Sequence, residues 1–245
     1  MNINFGSTVV NCSIFFNKDG NYLITNNTMQ ITGNNWDGQV VLPYGLKNIN
    51  FTNSGRLKRN VVIPNSVTDT YLMFYGCSNF NQNVQIPNSV INTTHMFAYC
   101  TNFNQNIQIP NSVTNTSSMF STCYNLNQNI QIPNSVTNAA RMFNACRNLN
   151  QNIRIPNSVT NTSSMFFGCQ NLSDVQIFNM PASVINNMFR AQNSKALNIW
   201  TDPTTANNMK TAKLVSSSAL TWTTITNGFY NSQYNIYIYS NGVDA

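Results

Sequence analysis

The sequence predicts an α/β repeat solenoid: 23-residue coils stacked through short parallel strands, with a small β segment closing each end. Three observations predict it. Five copies of 23 residues run without a gap over 60–82, 83–105, 106–128, 129–151 and 152–174, the third reading NIQIPNSVTNTSSMFSTCYNLNQ. Within a copy the apolar residues hold fixed places, at positions 2, 4, 8, 14, 15, 18 and 21. Down the copies run a proline column (Pro64, Pro87, Pro110, Pro133, Pro156), a Met–Phe column from Met73/Phe74 to Met165/Phe166, and a cysteine column. A fixed period of roughly 20–29 residues marks a solenoid with one coil per period.

The elements follow in order. Residues 1–40 read as an N-terminal β cap, with alternating segments at Asn2–Phe5, Cys12–Phe16 and Tyr22–Thr25 and a turn at Lys18-Asp19-Gly20. The solenoid spans 41–197. It opens with a degraded copy from about Val40 to Arg59, whose proline step is Leu42-Pro43, and continues through the regular coils 60–174. A further degraded copy, 175–197, keeps Ile177, Met188 and Phe189. In each coil, positions 2 and 4 alternate with an exposed position 3, which predicts a short strand ended by proline. Asn-Ser-Val then makes a turn, Thr-Asn-Thr supplies N-cap chemistry, and Met-Phe-x-x-Cys has the spacing of one or two helical turns. The stretch TDPTTANNMK still echoes the pattern, and residues 198–245 read as a C-terminal β cap ending in the strand Tyr234–Tyr239.

Composition excludes several functions. Only 7% of the chain is charged, against roughly 25% in an average soluble domain. There is one His and no Glu, and the six acids are all Asp, so most acid–base enzymes lack their parts. A glycosidase would need two carboxyl groups about 5–10 Å apart, whereas Asp69 and Asp174 lie four coils apart. No catalytic, metal-binding or cofactor-binding residues are expected. The net charge of +6 is dispersed without a run of like charges, which argues against a nucleic-acid partner. No apolar run approaches the roughly 20 residues of a membrane span, and the start, MNINFGSTVVNCSIFFNKDG, has no secretory pattern. Asn is 47 of 245 residues; 23 of these fall at coil positions 1, 6, 10, 20 and 22, where stacked amides would satisfy loop backbone.

The columns predict roles for particular residues. Cys77, Cys100, Cys123, Cys146 and Cys169 share the phase of the Met–Phe core and are expected to be a buried, reduced thiol ladder. A single file of thiols with no His or acid column beside it does not make a zinc site. His95 sits at the variable position 13 and is expected to have no catalytic role. Position 3 (Val62, Gln85, Gln108, Gln131, Arg154 and Gln176) is either a stacked amide ladder or a flat polar docking face. The variable positions contribute Tyr71, Tyr75, Tyr99, Tyr124, Arg141, Arg147 and Phe167. With Tyr234, Tyr237 and Tyr239 of the last strand, which is expected to offer an edge for strand addition, these are the candidate partner-binding residues.

The string IPNSVTN, followed by Met-Phe, a small gap, Cys and Asn-Phe or Asn-Leu, resembles the BspA-like (treponemal-type) leucine-rich repeat. In that family the unit is Ile-x-Ile-Pro-x-Ser-Val-Thr and then Ala-Phe-x-x-Cys-x-x-Leu. Phe-Asn-Gln at 80–82 and 103–105 is similar to the related repeat of Mycoplasma-type surface lipoproteins of unknown function. The resemblance covers about 40–192. It implies a leucine-rich-repeat solenoid and a surface-exposed binding protein that is not an enzyme. The chain departs from the family's secreted or lipid-anchored pattern, since Cys12 lacks the context of a lipid-bearing cysteine.

Together these readings predict a non-enzymatic structural or binding protein. The absent export signal and uncharged surface favour a bacteriophage virion component used in assembly or host attachment. The alternatives are a bacterial cell-surface adhesin and an intracellular protein-interaction scaffold. The expected partner is a protein of the virion or host surface, or a surface glycan; homo-oligomer formation is left open.

Overall fold

The computed structural model describes residues 2–5, 8–11, 21–25, 28–32, 40–41, 48–52, 61–185, 187–189, 196–212 and 223–240. Cys12–Phe16 and Lys18-Asp19-Gly20 lie outside these residues. The chain begins with β1 (Asn2–Phe5) and β2 (Thr8–Asn11), an antiparallel pair, then β3 (Asn21–Thr25) and β4 (Thr28–Thr32), a second one. The coils follow: β5 (Val40–Val41), β6 (Asn48–Asn50) and β7 (Val61–Val62), with β4 parallel to β6 and β5 parallel to β7. Beyond the middle coils come β8 (Ile153–Ile155), β9 (Asp174–Ile177), the short helix α1 (Ala182–Ile185), β10 (Leu197–Trp200), α2 (Pro203–Thr211), β11 (Thr223–Ile225), β12 (Gly228–Asn231) and β13 (Ile236–Tyr239). TDPTTANNMK thus becomes α2. Asp202 caps it by accepting from Thr205 N–H at 2.8 Å, and Pro203 opens its first turn.

The core is a set of columns, because each apolar position meets its own kind 23 residues away. Phe51, Phe74, Phe97, Phe120, Phe143, Phe166 and Phe189 stack ring on ring, with centroids 5.3–5.8 Å apart and planes within 11°. Phe80 and Phe103, at position 21, add a shorter column beside it. The Met, Val and Cys columns are fully buried alongside.

The coils are held together on one side. In the first four regular coils the backbone N–H groups at positions 11, 13, 15 and 17 donate to the next coil. In the second regular coil these bonds are Thr93 to Asn115, His95 to Ser117, Phe97 to Met119 and Tyr99 to Ser121, at 2.8–3.0 Å. Between those residues the chain closes three-residue turns: Met96 donates to Thr93, Ala98 to His95 and Cys100 to Phe97. Each coil adds a backbone bridge at position 10, linking Asp69, Asn92, Asn115, Asn138 and Asn161 in file. The side-chain oxygen of that Asn also receives the N–H two residues on, as in Asn115 to Ser117 at 3.0 Å.

The Met-Phe-x-x-Cys segment is therefore not helical. Leu72, His95, Ser118, Arg141 and Ser164 at position 13 take φ of 54–57°, and position 17 is also left-handed in every regular coil, from Gly76 to Gly168. An α-helix would direct each N–H to residue i−4. Here alternate N–H groups leave the coil to bind the next one, which offsets the cost of a left-handed non-glycine residue.

The other side of the coil is open in the middle. Parallel strand pairing is present at β5–β7 and along β8–β9–β10–β13. Among the described residues, the backbone of 83–86, 106–109 and 129–132 makes no backbone–backbone hydrogen bond. Position 3 does not form an amide ladder there; Gln131 instead bonds Asn129 of its own coil at 2.9 Å.

At the C-terminal end one six-stranded sheet, in the order β11-β12-β13-β10-β9-β8, joins the last coils to the closing strands. The strand holding Tyr237 and Tyr239 is interior, between β10 and β12, so it offers no edge. The reason is a partner the alternation alone did not reveal: Leu197–Trp200 pairs with it in parallel over four residues. Asp202 ties this end to the coils. Burial raises its pKa, but hydrogen bonds from the Thr205 hydroxyl and from the Asn179 and Thr205 N–H groups outweigh that and lower it.

Candidate interaction surfaces

Cys77, Cys100, Cys123, Cys146 and Cys169 are thiols with no exposed surface. Each Sγ donates to the carbonyl of the column phenylalanine one coil back, at 2.9–3.1 Å, from Cys77 to Phe51 up to Cys169 to Phe143. Burial pushes the pKa values of Cys100, Cys123, Cys146 and Cys169 well above the ordinary range, and for the first three a neighbouring thiol adds to it. The thiolate is the reactive form, so these sulfurs are inert while the coils are stacked. A thiol reagent such as iodoacetamide should label none of these five in the native protein and all five in urea. Rapid native labelling at any of them would contradict the packing.

The turn side carries the aromatic candidates. Tyr71 (50% exposed) meets the His95 ring edge-on at 6.2 Å. Tyr75 lies 6.4 Å from His95 and 5.2 Å from Tyr99, which is 47% exposed. Burial, and then the positive charge of Arg141, lowers the His95 pKa, so the ring is neutral near pH 7 and acts as part of an aromatic cluster. Tyr124 is half-buried under the Arg147 guanidinium, 4.3 Å from its ring centroid. Arg141 is exposed beside this group, and Phe167 (38% exposed) stands further along the same side.

The C-terminal candidates divide. Tyr234 lies in the turn before β13 and packs against the core. Tyr237 and Tyr239 stand on the outward face of the sheet, in line with two residues the sequence reading did not single out. Trp200 stacks on Tyr239 at 4.6 Å, and Tyr230 on Tyr237 at 4.4 Å. Parallel pairing sets Arg154 beside Gln176, Gln176 beside Trp200, and Trp200 beside Tyr239. This stripe therefore continues the position-3 row of the strand side and is separate from the Tyr71–Tyr99 cluster. The clue in the sequence was the matching alternation of LNIW and IYIY.

Asparagines fall into two groups. At positions 10, 20 and 22 the amides are used within the stack. Asn102, Asn125 and Asn148 each donate to the position-20 amide of the preceding coil at 3.2–3.3 Å. Asn81, Asn104 and Asn127 each accept both a backbone N–H and a Gln side chain of the following coil at 2.8–3.1 Å. The amides of Asn65, Asn83, Gln85, Asn88, Asn106 and Gln108, on the strand side, make no hydrogen bond among the described residues. Among the described residues, no three His, Cys or Asp side chains converge to hold a metal, and no helix is long and apolar enough to cross a membrane.

The architecture is that of known leucine-rich-repeat structures. The chain is similar to the leucine-rich repeat protein of T. pallidum, with a TM-score of 0.52 and 24% identity over 72% of this chain and 90% of that one. It is also matched to a leucine-rich repeat protein from Bacteroides ovatus (TM-score 0.40, 16% identity, 76% and 70% covered). A third match is a leucine-rich cell surface protein from Faecalibacterium prausnitzii (0.41, 18%, 78% and 71%). No curated protein matches the chain. The pattern of one family fits residues 50–155 and again 110–201, over half of the sequence and across all the regular coils. The chain belongs to that family, described as Mycoplasma protein of unknown function, DUF285.

Proposed function

We propose that the chain is a non-enzymatic recognition protein of a bacterial cell surface, presenting side chains to a protein partner from a rigid stack of coils. One observation carries this reading: the Tyr71, Tyr75, Tyr99 and His95 cluster sits on the side where every coil is hydrogen-bonded to the next. Half-exposed tyrosines on a backbone fixed in advance lose little entropy on binding, and Tyr with Arg is the composition of interface hot spots. Arg141 and the Tyr124–Arg147 pair extend the same surface. The family is described from Mycoplasma, a cellular bacterium, which favours the cell-surface reading over the virion one that the sequence start and the uncharged surface placed first.

Antibodies against the chain should label intact cells of the producing bacterium without permeabilisation. Labelling confined to permeabilised cells, or recovery of the chain in purified phage particles, would overturn the placement.

A further inference from the structure

We propose that the open strand side of the first three regular coils is a second binding site, a cleft that takes a neutral, hydroxyl-rich ligand, namely a glycan chain. The cleft has a volume of about 640 Å³, within the rough 300–1,000 Å³ of small-molecule sites. It lies where the coils are not paired, over the backbone of 83–86 and 106–109, whose N–H and C=O groups are not used by neighbouring coils.

Its chemistry selects the ligand. Asn65, Asn83, Gln85, Asn88, Asn106 and Gln108 line it, and none of the described residues that line it is charged. These are the amides that the stack leaves unused, in contrast to the laddered asparagines at positions 10, 20 and 22. A side-chain amide offers two donors and one acceptor oxygen in a plane, which complements adjacent hydroxyls that both donate and accept. Half-buried Pro87 supplies apolar surface for the C–H face of a sugar ring, at the rim of a floor formed by the core residues Ile63, Val84 and Ile86. A phosphorylated or sulfated ligand would find no cation among these lining residues, and a protein partner would find no apolar pocket free of amides. The outward row continues through Gln131, Arg154 and Gln176 to Trp200 and Tyr239, so a chain longer than the cleft has a further surface along the same face.

The test uses the full chain and a panel of immobilised glucans, mannans and galactans beside sulfated and sialylated glycans. Binding to at least one neutral member is expected. It should persist at about 1 M salt, where charge attraction is screened within about 3 Å. The exposed triple variant Gln85→Ala, Asn106→Ala, Gln108→Ala should lose about tenfold or more in affinity, as expected for several lost hydrogen bonds, with an unchanged Tm. Tyr71→Ser with Tyr99→Ser should bind the glycan normally. No binding to any neutral glycan, binding only to charged ones that salt abolishes, or full binding by the triple variant would each overturn the proposal. None of these results bears on the cell-labelling test or on the turn-side protein site.

Discussion

Phe120→Ala is expected to cost about 3–5 kcal/mol, the range for removing a buried Phe side chain, and to divide the unfolding transition. Phe120 has no exposed surface and lies between Phe97 at 5.6 Å and Phe143 at 5.8 Å, with Phe103 at 6.1 Å. Its carbonyl accepts the Cys146 thiol, and its N–H binds Met142 of the next coil. The vacancy therefore opens two interfaces at once. In a solenoid each coil is stabilised only by its neighbours, so a weak coil in the middle separates the stack into two cooperative units. Urea unfolding followed by circular dichroism should show a lower midpoint and a broader or two-step transition. Phe167→Ala, next in the sequence to the column residue Phe166 but exposed, should change stability by no more than about 0.5 kcal/mol. Equal effects at 120 and 167 would mean that the phenylalanine column is not the core.

Gly228→Ala should break the C-terminal sheet. A Cβ at this position would lie 1.8 Å from the carbonyl oxygen of Ile238 and 2.9 Å from its carbon, both backbone atoms of the paired strand. No rotamer relieves that contact, so β12 must move off β13 and the pairs from Gly228↔Tyr239 to Asn231↔Ile236 are disturbed. The expected loss is at least about 1–3 kcal/mol, the range for overpacked sites. Near-ultraviolet dichroism should report it, because the stacked Trp200, Tyr239, Tyr237 and Tyr230 rings lose their fixed geometry. Gly168→Ala is the contrast. Gly168 has a φ of +73°, but a Cβ there would meet its neighbours at 3.5 Å or more, and Tyr99, Thr122 and Ala145 occupy the same position in other coils. That substitution should be mild.

Much of this could be read from the repeat. The phenylalanine and cysteine columns follow from residues that recur every 23 positions, since a strict period forces like onto like. The helical reading of Met-Phe-x-x-Cys failed for a definable reason. Apolar residues at positions 15, 18 and 21 suit a helix face, but spacing by three equally suits successive i→i+3 turns, and Cys123 donating to Phe120 and Leu126 to Cys123 is that pattern. Gly76 and Gly168 at position 17 were the available hint of a left-handed backbone. The Tyr234–Tyr239 strand was legible as a strand, but its place inside the sheet depended on Trp200, a contact across more than thirty residues. The division of the amides into laddered and unused groups has no signature in composition, because an Asn at position 20 and one at position 6 are the same residue. Only the one-sided bonding of the coils separates them.

That one-sided bonding is the central claim, and amide hydrogen exchange resolved to single residues tests it most directly. In the middle coils the N–H groups of Phe97, Tyr99, Ser118, Phe120 and Thr122 donate to the next coil and should exchange only through opening of the stack. Those of Gln85, Ile86, Gln108 and Ile109 have no backbone acceptor and should exchange orders of magnitude faster in the same native sample. Equal, strong protection of both sets would mean that a continuous parallel sheet closes the strand side, and that neither the one-sided ladder nor the cleft exists.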